Sequence, residues 1–376
     1  MVKNILLVLL LKIFKVFSID NHEQTSEIGC IERKHIYFLL TSSKLHEFES
    51  ESLISPSNLT RCALRSACVL NPELNIHLLT MNPDLMKTEI EWIRNHGCQN
   101  NLHVDNLDIQ SILHDTPIEK LYNTSVTPNL YSGAYSANNI GNALRLALLY
   151  KNGGIYMDLD IISTRSIRYL PCNAIGSQSG EVGQSFDTHK HKMSLNNAVL
   201  LFNPQSLFLL KAMKKFVADF KPDVWGHNGP NLLSRVYRSK YQYESSFKEV
   251  EILFRTVFYP IGFDTNKQVK PFYTVEASEE FIQYGYKDER TLGVHLWNHH
   301  AREWLLKGQL NQFKGWNIHP TSQASILLTS CLSELPLKEP LFNREVKKHT
   351  NYLLCKSGTY CGPSGGNNNK DDNSDR

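Results

Sequence analysis

Two aspartates one residue apart, Asp158-Leu159-Asp160, follow a short apolar run that begins at a glycine pair, Gly153-Gly154. Two carboxylates this close are hard oxygen ligands, suited to manganese or magnesium and unsuited to zinc. At the end of a buried strand they can hold a divalent cation against a nucleotide-sugar diphosphate. If the strand runs through the motif, alternation turns Asp158 and Asp160 to one side and Leu159 to the other. An isolated Asp-x-Asp is commonly a surface turn, so the neighbouring elements decide its meaning.

Upstream, residues 137–152 (ANNIGNALRLALLYKN) carry Ile140, Leu144, Ala147 and Leu148 on one helical stripe. The glycine pair stops that helix and the strand starts at once. Asn138, Asn142 and Arg145 fall at i, i+4 and i+7, so a polar face leads toward the same strand end. Arg145 beside two aspartates has two readings: a structural salt bridge, or a cation near a diphosphate or sugar hydroxyls.

The elements around this core alternate. Residues 35–41, 75–81 and 102–107 read as strands, and 56–70 and 84–95 as helices, the second with Gly97 past its end. Further on, 197–202, 257–261 and 293–297 read as short strands and 204–220 as a helix. A glycine-rich loop over 225–231 leads into a helix through 238. Strands alternating with helices predict an α/β fold, a mostly parallel central sheet with helices on both faces. Ligands of such sheets bind beyond the carboxyl ends of the strands, where Asp158 and Asp160 would lie.

With 376 residues and 41% hydrophobic content, the chain can bury one large core or two coupled halves. The formal charge is +3 and the basic residues are dispersed, which argues against nucleic acid as a partner. Residues 1–18 combine an early lysine with an apolar run from Ile5 to Leu11 that Lys12 and Lys15 interrupt, too short to span a bilayer. They read as a signal peptide cleaved after Ser18 or a weak membrane anchor, with a cytosolic amphipathic segment as the rival. A short stem over 19–34 follows. The body divides into 35–165, with the Asp-x-Asp motif, and 166–355, ahead of a Gly- and Asn-rich tail, 356–376, expected to be disordered. Eight cysteines fit an oxidising lumen and up to four disulfides, whose pairing stays open. The sequons at Asn58 and Asn123 are compatible with luminal glycosylation.

Several blocks of this sequence resemble one family. FLLTS at 38–42, HDTPIEKLY at 114–122, ALRLALLYKNGGIYMDLD at 143–160, NNAVLLF at 196–202, VWGHNGPNLLSRVY at 224–237, FYPI at 258–261 and VHLW at 294–297 occur in the family's order. They are similar to the alpha-1,4-glycosyltransferases of glycosyltransferase family 32, typified by lactosylceramide 4-alpha-galactosyltransferase. The resemblance implies a GT-A fold, a single Rossmann-like domain that uses manganese or magnesium and a UDP-sugar and retains anomeric configuration. It implies metal binding by Asp158 and Asp160, with His295 reaching the metal or diphosphate. It places Arg145 near the donor, and Asn142, Asn197, Trp225, Gly229 and Pro230 around the donor pocket or cleft. It also implies a glycolipid or glycan acceptor and a luminal domain at the Golgi membrane, in single-pass type II topology or, after signal cleavage, secreted.

The chain departs from the family at two places. Gly141-Asn142 stands where Ser-Asp is usual, so a charged acceptor for donor-sugar hydroxyls is replaced by a neutral one. Leu121 stands where Trp is frequent.

Other candidates are weighed against plainer roles. His227 reads equally as a catalytic base and as a hydrogen-bonded loop histidine. Trp225 and Trp297 read as sugar-stacking residues or as core. Asp187, His189 and His191 resemble a metal cluster but sit in a lysine-flanked run typical of a solvated loop. The leading expectation is a hexosyltransferase. A luminal carbohydrate-binding protein that kept the fold and lost turnover is the alternative.

Overall fold

The computed structural model describes residues 34–41, 55–179, 194–241, 250–286, 288–298, 301, 318–335 and 337. The N-terminal segment and stem, Cys30, the 187–191 run, Cys355, Cys361 and the tail lie outside the described residues. Among the described residues no helix is long and apolar enough to cross a membrane.

The described residues form nine strands: β1 (His35–Leu40), β2 (Asn75–Thr80), β3 (Leu102–Asn106), β4 (Gly154–Met157), β5 (Ile161–Ser163), β6 (Ala174–Ser177), β7 (Leu195–Phe202), β8 (Glu251–Leu253) and β9 (Gly293–His295). Seven form one sheet in the order β3-β2-β1-β4-β7-β6-β8. β3, β2, β1 and β4 run parallel, as do β6 and β8, whereas β7 is antiparallel to both its neighbours. The expected α/β architecture with a mostly parallel central sheet is the one observed. β5 and β9 make a separate antiparallel pair.

Alternation along β1 feeds a core on each face of the sheet. Ile36, Phe38 and Leu40 join one apolar cluster and Tyr37 and Leu39 the other. The first cluster is closed by helix α1 (Pro56–Leu70), and by a C-terminal helix over Gln323–Leu332. Ser55 caps α1 by accepting a hydrogen bond from the Asn58 N–H at 3.2 Å. A disulfide, Cys62–Cys331, ties the two helices across 269 residues of sequence. Cys172 is also disulfide-bonded, but Cys68 and Cys98 are free, buried thiols beside one another, so the cysteines are not all oxidised.

The second face is covered by helices α2 (Ser136–Asn152), α3 (Leu207–Ala218) and α4 (Pro230–Tyr241). α2 must stop abruptly to feed β4. Gly153 and Gly154 have φ of +66° and +100°, and a Cβ on Gly153 would meet Pro204 at 2.5 Å, so only glycine fits this turn.

One predicted strand is not there. Val257 and Phe258 end a helical turn, Arg255–Phe258, residues 259–261 leave it without regular structure, and the strand is the preceding Glu251–Leu253. Arg255 folds back to donate from Nη1 to the carbonyls of Tyr259 and Pro260, both at 3.0 Å. Pro260 has no N–H to offer a ladder.

Candidate active site

The Asp-x-Asp motif lies beyond β4, not within it. The strand ends at Met157, and a turn follows in which the Ile161 N–H donates to the Asp158 carbonyl at 3.0 Å. The two carboxylates therefore converge through a turn, which corrects the expectation of strand alternation. The chain then enters β5, which pairs with β9 in the register Ile161↔His295. That register delivers a residue 135 positions away to the motif. Beyond β9, the Leu296 N–H donates to the Asp160 carbonyl at 2.9 Å and the Asn298 N–H to Asp160 Oδ2 at 3.0 Å.

Asp158, Asp160 and His295 each offer a ligand atom, and these atoms lie within 4.8 Å of one another. His295 Nε2 stands 3.2 Å from Asp160 Oδ1, and its Nδ1 is buried without a hydrogen-bond partner. Two carboxylate oxygens and one imidazole suit a hard or borderline divalent ion such as manganese or magnesium. The residues fit the group that the motif implies.

Arg145 projects from α2 into the same place. Its Nη1 is 3.1 Å from Asp158 Oδ1 and donates to the Asn197 carbonyl at 2.6 Å, and its Nε donates to the Gly141 carbonyl at 3.2 Å. The guanidinium stacks 4.4 Å from the Tyr156 ring centre, and the Tyr156 hydroxyl donates to Asp158 Oδ1 at 2.5 Å. The salt bridge to Asp158 is therefore present, and both of its partners line the cleft.

The carboxyls titrate in opposite directions. Burial raises Asp158 and the Asp160 charge adds to it, against the pull of Arg145. Burial would raise Asp160 too, but His295 and the Asn298 N–H outweigh it and hold that carboxyl below its ordinary value.

Two chambers meet at this point. The larger, about 730 Å³, has Asn142, Asn197, Trp225, Pro230, His295 and Trp297 on its walls. The smaller, about 330 Å³, opens beyond the end of β1 at Leu39, Leu40 and Thr41 and is bounded by Thr60 and Tyr156. Asn138, Arg145, Asp158, Asp160 and Asn298 border both. The larger volume is within the range of small-molecule sites, roughly 300–1,000 Å³.

Of the residues singled out from sequence, Asn142, Arg145, Asp158, Asp160, Asn197, Trp225, Pro230 and His295 come together on these walls. Gly229 stands behind them, its absent Cβ leaving room for the Asn142 and Asn197 amides. His227 does not line the cleft. Its Nε2 faces the Asp219 carbonyl at 3.0 Å and the Arg235 guanidinium at 3.2 Å, and burial together with Arg235 lowers its pKa. The loop-histidine reading of His227 is therefore the one the structure has. The sequons differ in setting: Asn123 is exposed at the end of a helical turn, whereas Thr60 of the Asn58 sequon is buried.

Sequence reasoning missed Tyr156, Gln178, Asn196, Phe263 and Asn298 on the walls. Only Tyr156 carried a local signal, two residues before Asp158. Asn228, in the glycine-rich loop that the resemblance places at the cleft, is scaffolding: it bonds Lys221 through both its side-chain atoms and Asn139 at 3.0 Å, fixing the loop to α2.

The chain is similar to known glycosyltransferases. Residues 57–180 match the model of a glycosyltransferase sugar-binding region containing the DXD motif, and 201–314 match the alpha-1,4-glycosyltransferase conserved region. The chain is 32% identical to lactosylceramide 4-alpha-galactosyltransferase of Rattus norvegicus over 275 residues, covering 70% of this chain and 67% of that protein. It is 27% identical to alpha-1,4-N-acetylglucosaminyltransferase of Homo sapiens over 284 residues, 72% of this chain and 73% of that one. Among solved structures, the PaToxG glycosyltransferase aligns with a TM-score of 0.38 at 16% identity, over 57% of this chain and 72% of that one. The chain belongs to the alpha-1,4-glycosyltransferase family and is a glycosyltransferase.

Proposed function

We propose that the protein is a metal-dependent hexosyltransferase that moves galactose, N-acetylgalactosamine or N-acetylglucosamine from a UDP-sugar, in alpha-1,4 linkage with retention, onto a galactose-terminated glycosphingolipid or glycan. The observation that carries this reading is the seam itself: Asp158, Asp160 and His295 sit where two chambers join, with a buried arginine beside them. The smaller chamber, beyond the carboxyl end of β1, takes the nucleoside, and the larger takes the two sugars.

Asp158, Asp160 and His295 would hold the ion, which when bound supplies Lewis-acid neutralisation of the departing diphosphate. Arg145 is fixed by the Asn197 and Gly141 carbonyls before substrate arrives, so its charge meets the leaving group without reorganisation. Asn142 and Asn197 offer amide groups to the hydroxyls of the donor sugar. Retention rests on the family resemblance, and the described walls carry no carboxylate besides Asp158 and Asp160. A luminal setting at the Golgi membrane agrees with the Cys62–Cys331 and Cys172 disulfides.

Asn142 favours one second reading, a carbohydrate-binding protein without turnover. It leaves the donor-hydroxyl position uncharged, its Oδ1 already accepting from Asn197 Nδ2 at 2.7 Å. Release of UDP from each of the three UDP-sugars, with manganese and a β-galactoside acceptor, separates the two. Acceptor-stimulated release is expected. Binding of UDP without release from any donor would favour the binding protein.

A further inference from the structure

The larger chamber divides by chemistry. Its ionisable groups are confined to the seam: Arg145, Asp158, Asp160 and His295. The rest of its wall consists largely of side-chain amides, suited to a neutral polyol. Its mouth is aromatic. Of the large apolar side chains that the described residues leave exposed, Trp225 at 39% and Phe263 at 48% are the two on this wall.

Neither aromatic is loose. The Tyr135 ring meets Trp225 edge-on at 5.2 Å, and Trp225 precedes Gly226, whose φ of +69° sets the turn into α4. Phe263 meets Trp297 edge-on at 6.1 Å, and Trp297 Nε1 donates to the Ile261 carbonyl at 2.7 Å. Neither Trp225 nor Phe263 borders the smaller chamber. Exposed, buttressed aromatic faces at the mouth of an amide-walled cleft bind the apolar face of a sugar, because they combine large contact area with little rotamer freedom to lose.

We propose that Trp225 is the platform for the acceptor's terminal β-galactose, with Phe263 as a second contact. This rests on the glycosyltransferase reading above and assigns Trp225 to the acceptor instead of the donor. The stereochemistry of galactose supports it. In the chair form, H3, H4 and H5 make a continuous apolar patch on one face, and the axial 4-hydroxyl projects from the other. Stacking that patch on the indole leaves the 4-hydroxyl turned into the chamber. In a glucoside the 4-hydroxyl is equatorial, which breaks the patch and removes the nucleophile from that direction. The platform therefore both binds the acceptor and selects its C4 configuration.

The test uses the full chain saturated with UDP and manganese, with methyl β-galactoside as probe. Saturation-transfer NMR on the wild type should show the strongest enhancement at H3, H4 and H5, with weaker binding of methyl β-glucoside. Trp225→Ala should weaken galactoside binding about tenfold or more. Trp225→Phe should recover most of it, and UDP affinity should stay within about twofold in both variants. Unchanged galactoside binding in Trp225→Ala, equal binding of the two glycosides, or loss of UDP binding along with the galactoside would each overturn the assignment. Wild-type protein that binds UDP but not the galactoside would overturn the assignment alone. Wild-type protein that binds neither would overturn the glycosyltransferase reading with it.

Discussion

Asn142 and Asn197 face each other across the cleft wall with a hydrogen bond of 2.7 Å, and the Gly229 backbone closes against both amides. A Cβ at position 229 would stand 2.9 Å from each amide nitrogen, inside normal contact distance. Gly229→Ala should therefore push the pair apart with little effect on the rest of the fold. We expect kcat/KM for the donor to fall about tenfold or more, which is ~1.4 kcal/mol of transition-state stabilisation. Asn142→Asp keeps the bond to Asn197 and adds a charge near Arg145, and should raise transfer severalfold, roughly 1 kcal/mol. Steady-state kinetics on both variants check this. Gly229→Ala at wild-type rate would remove the pair from donor recognition.

Much of this site is legible in the sequence, for reasons that are local. The period of residues 136–152, the glycine stop and the apolar run before Asp158 each encode a neighbour a few residues away. What the periodicity leaves out is long-range. The β5–β9 pairing that brings His295 to Asp160 is a register between distant segments, so His295 came from the family resemblance and not from spacing. Strand alternation misplaced the geometry of the two aspartates because β4 ends at Met157, before either of them. Gln178 and Asn196 bond each other at 2.6 Å on the wall, but amides carry no spacing signal that marks a site.

A histidine cluster across β1, β2 and β3 should make the stability of the fold depend on pH. His35 and His77 share a 3.0 Å hydrogen bond, His77 meets Asp105 at 2.9 Å, and the His77 and His103 rings stack at 5.0 Å. Burial, followed by His77, His103 and Lys34, lowers the His35 pKa from its ordinary 6.5. The unfolded chain therefore takes up this proton at higher pH than the folded one. The stability it supports is fully present above that ordinary value and is lost as pH falls through the lower folded value. The melting temperature should drop between about pH 7.5 and about pH 5.5, and His35→Gln should flatten the slope. An unaltered slope in the variant would assign the dependence elsewhere.

The Cys62–Cys331 bond spans almost the whole described chain, and Arg65 reinforces it by donating to the carbonyls of Ser333 at 2.9 Å and Leu335 at 2.8 Å. Replacing both cysteines with serine should cost roughly 2–5 kcal/mol, read as a lower denaturant midpoint. Peptide mapping after alkylation under denaturing, non-reducing conditions should label Cys68 and Cys98 and leave Cys62, Cys172 and Cys331 unlabelled. Labelling of Cys62 or Cys331 would remove the cross-link from the account.

The central claim is that Asp158, Asp160 and His295 hold a divalent ion against a nucleotide diphosphate. Titration calorimetry of UDP into the purified chain, with manganese and then with excess chelator, tests it most directly. We predict tight binding with manganese, at least about tenfold weaker binding without it, and the same loss with manganese present in Asp158→Asn and in Asp160→Asn. Circular dichroism should show both variants folded. UDP binding of equal strength with and without metal, or unimpaired in either folded variant, would contradict the account.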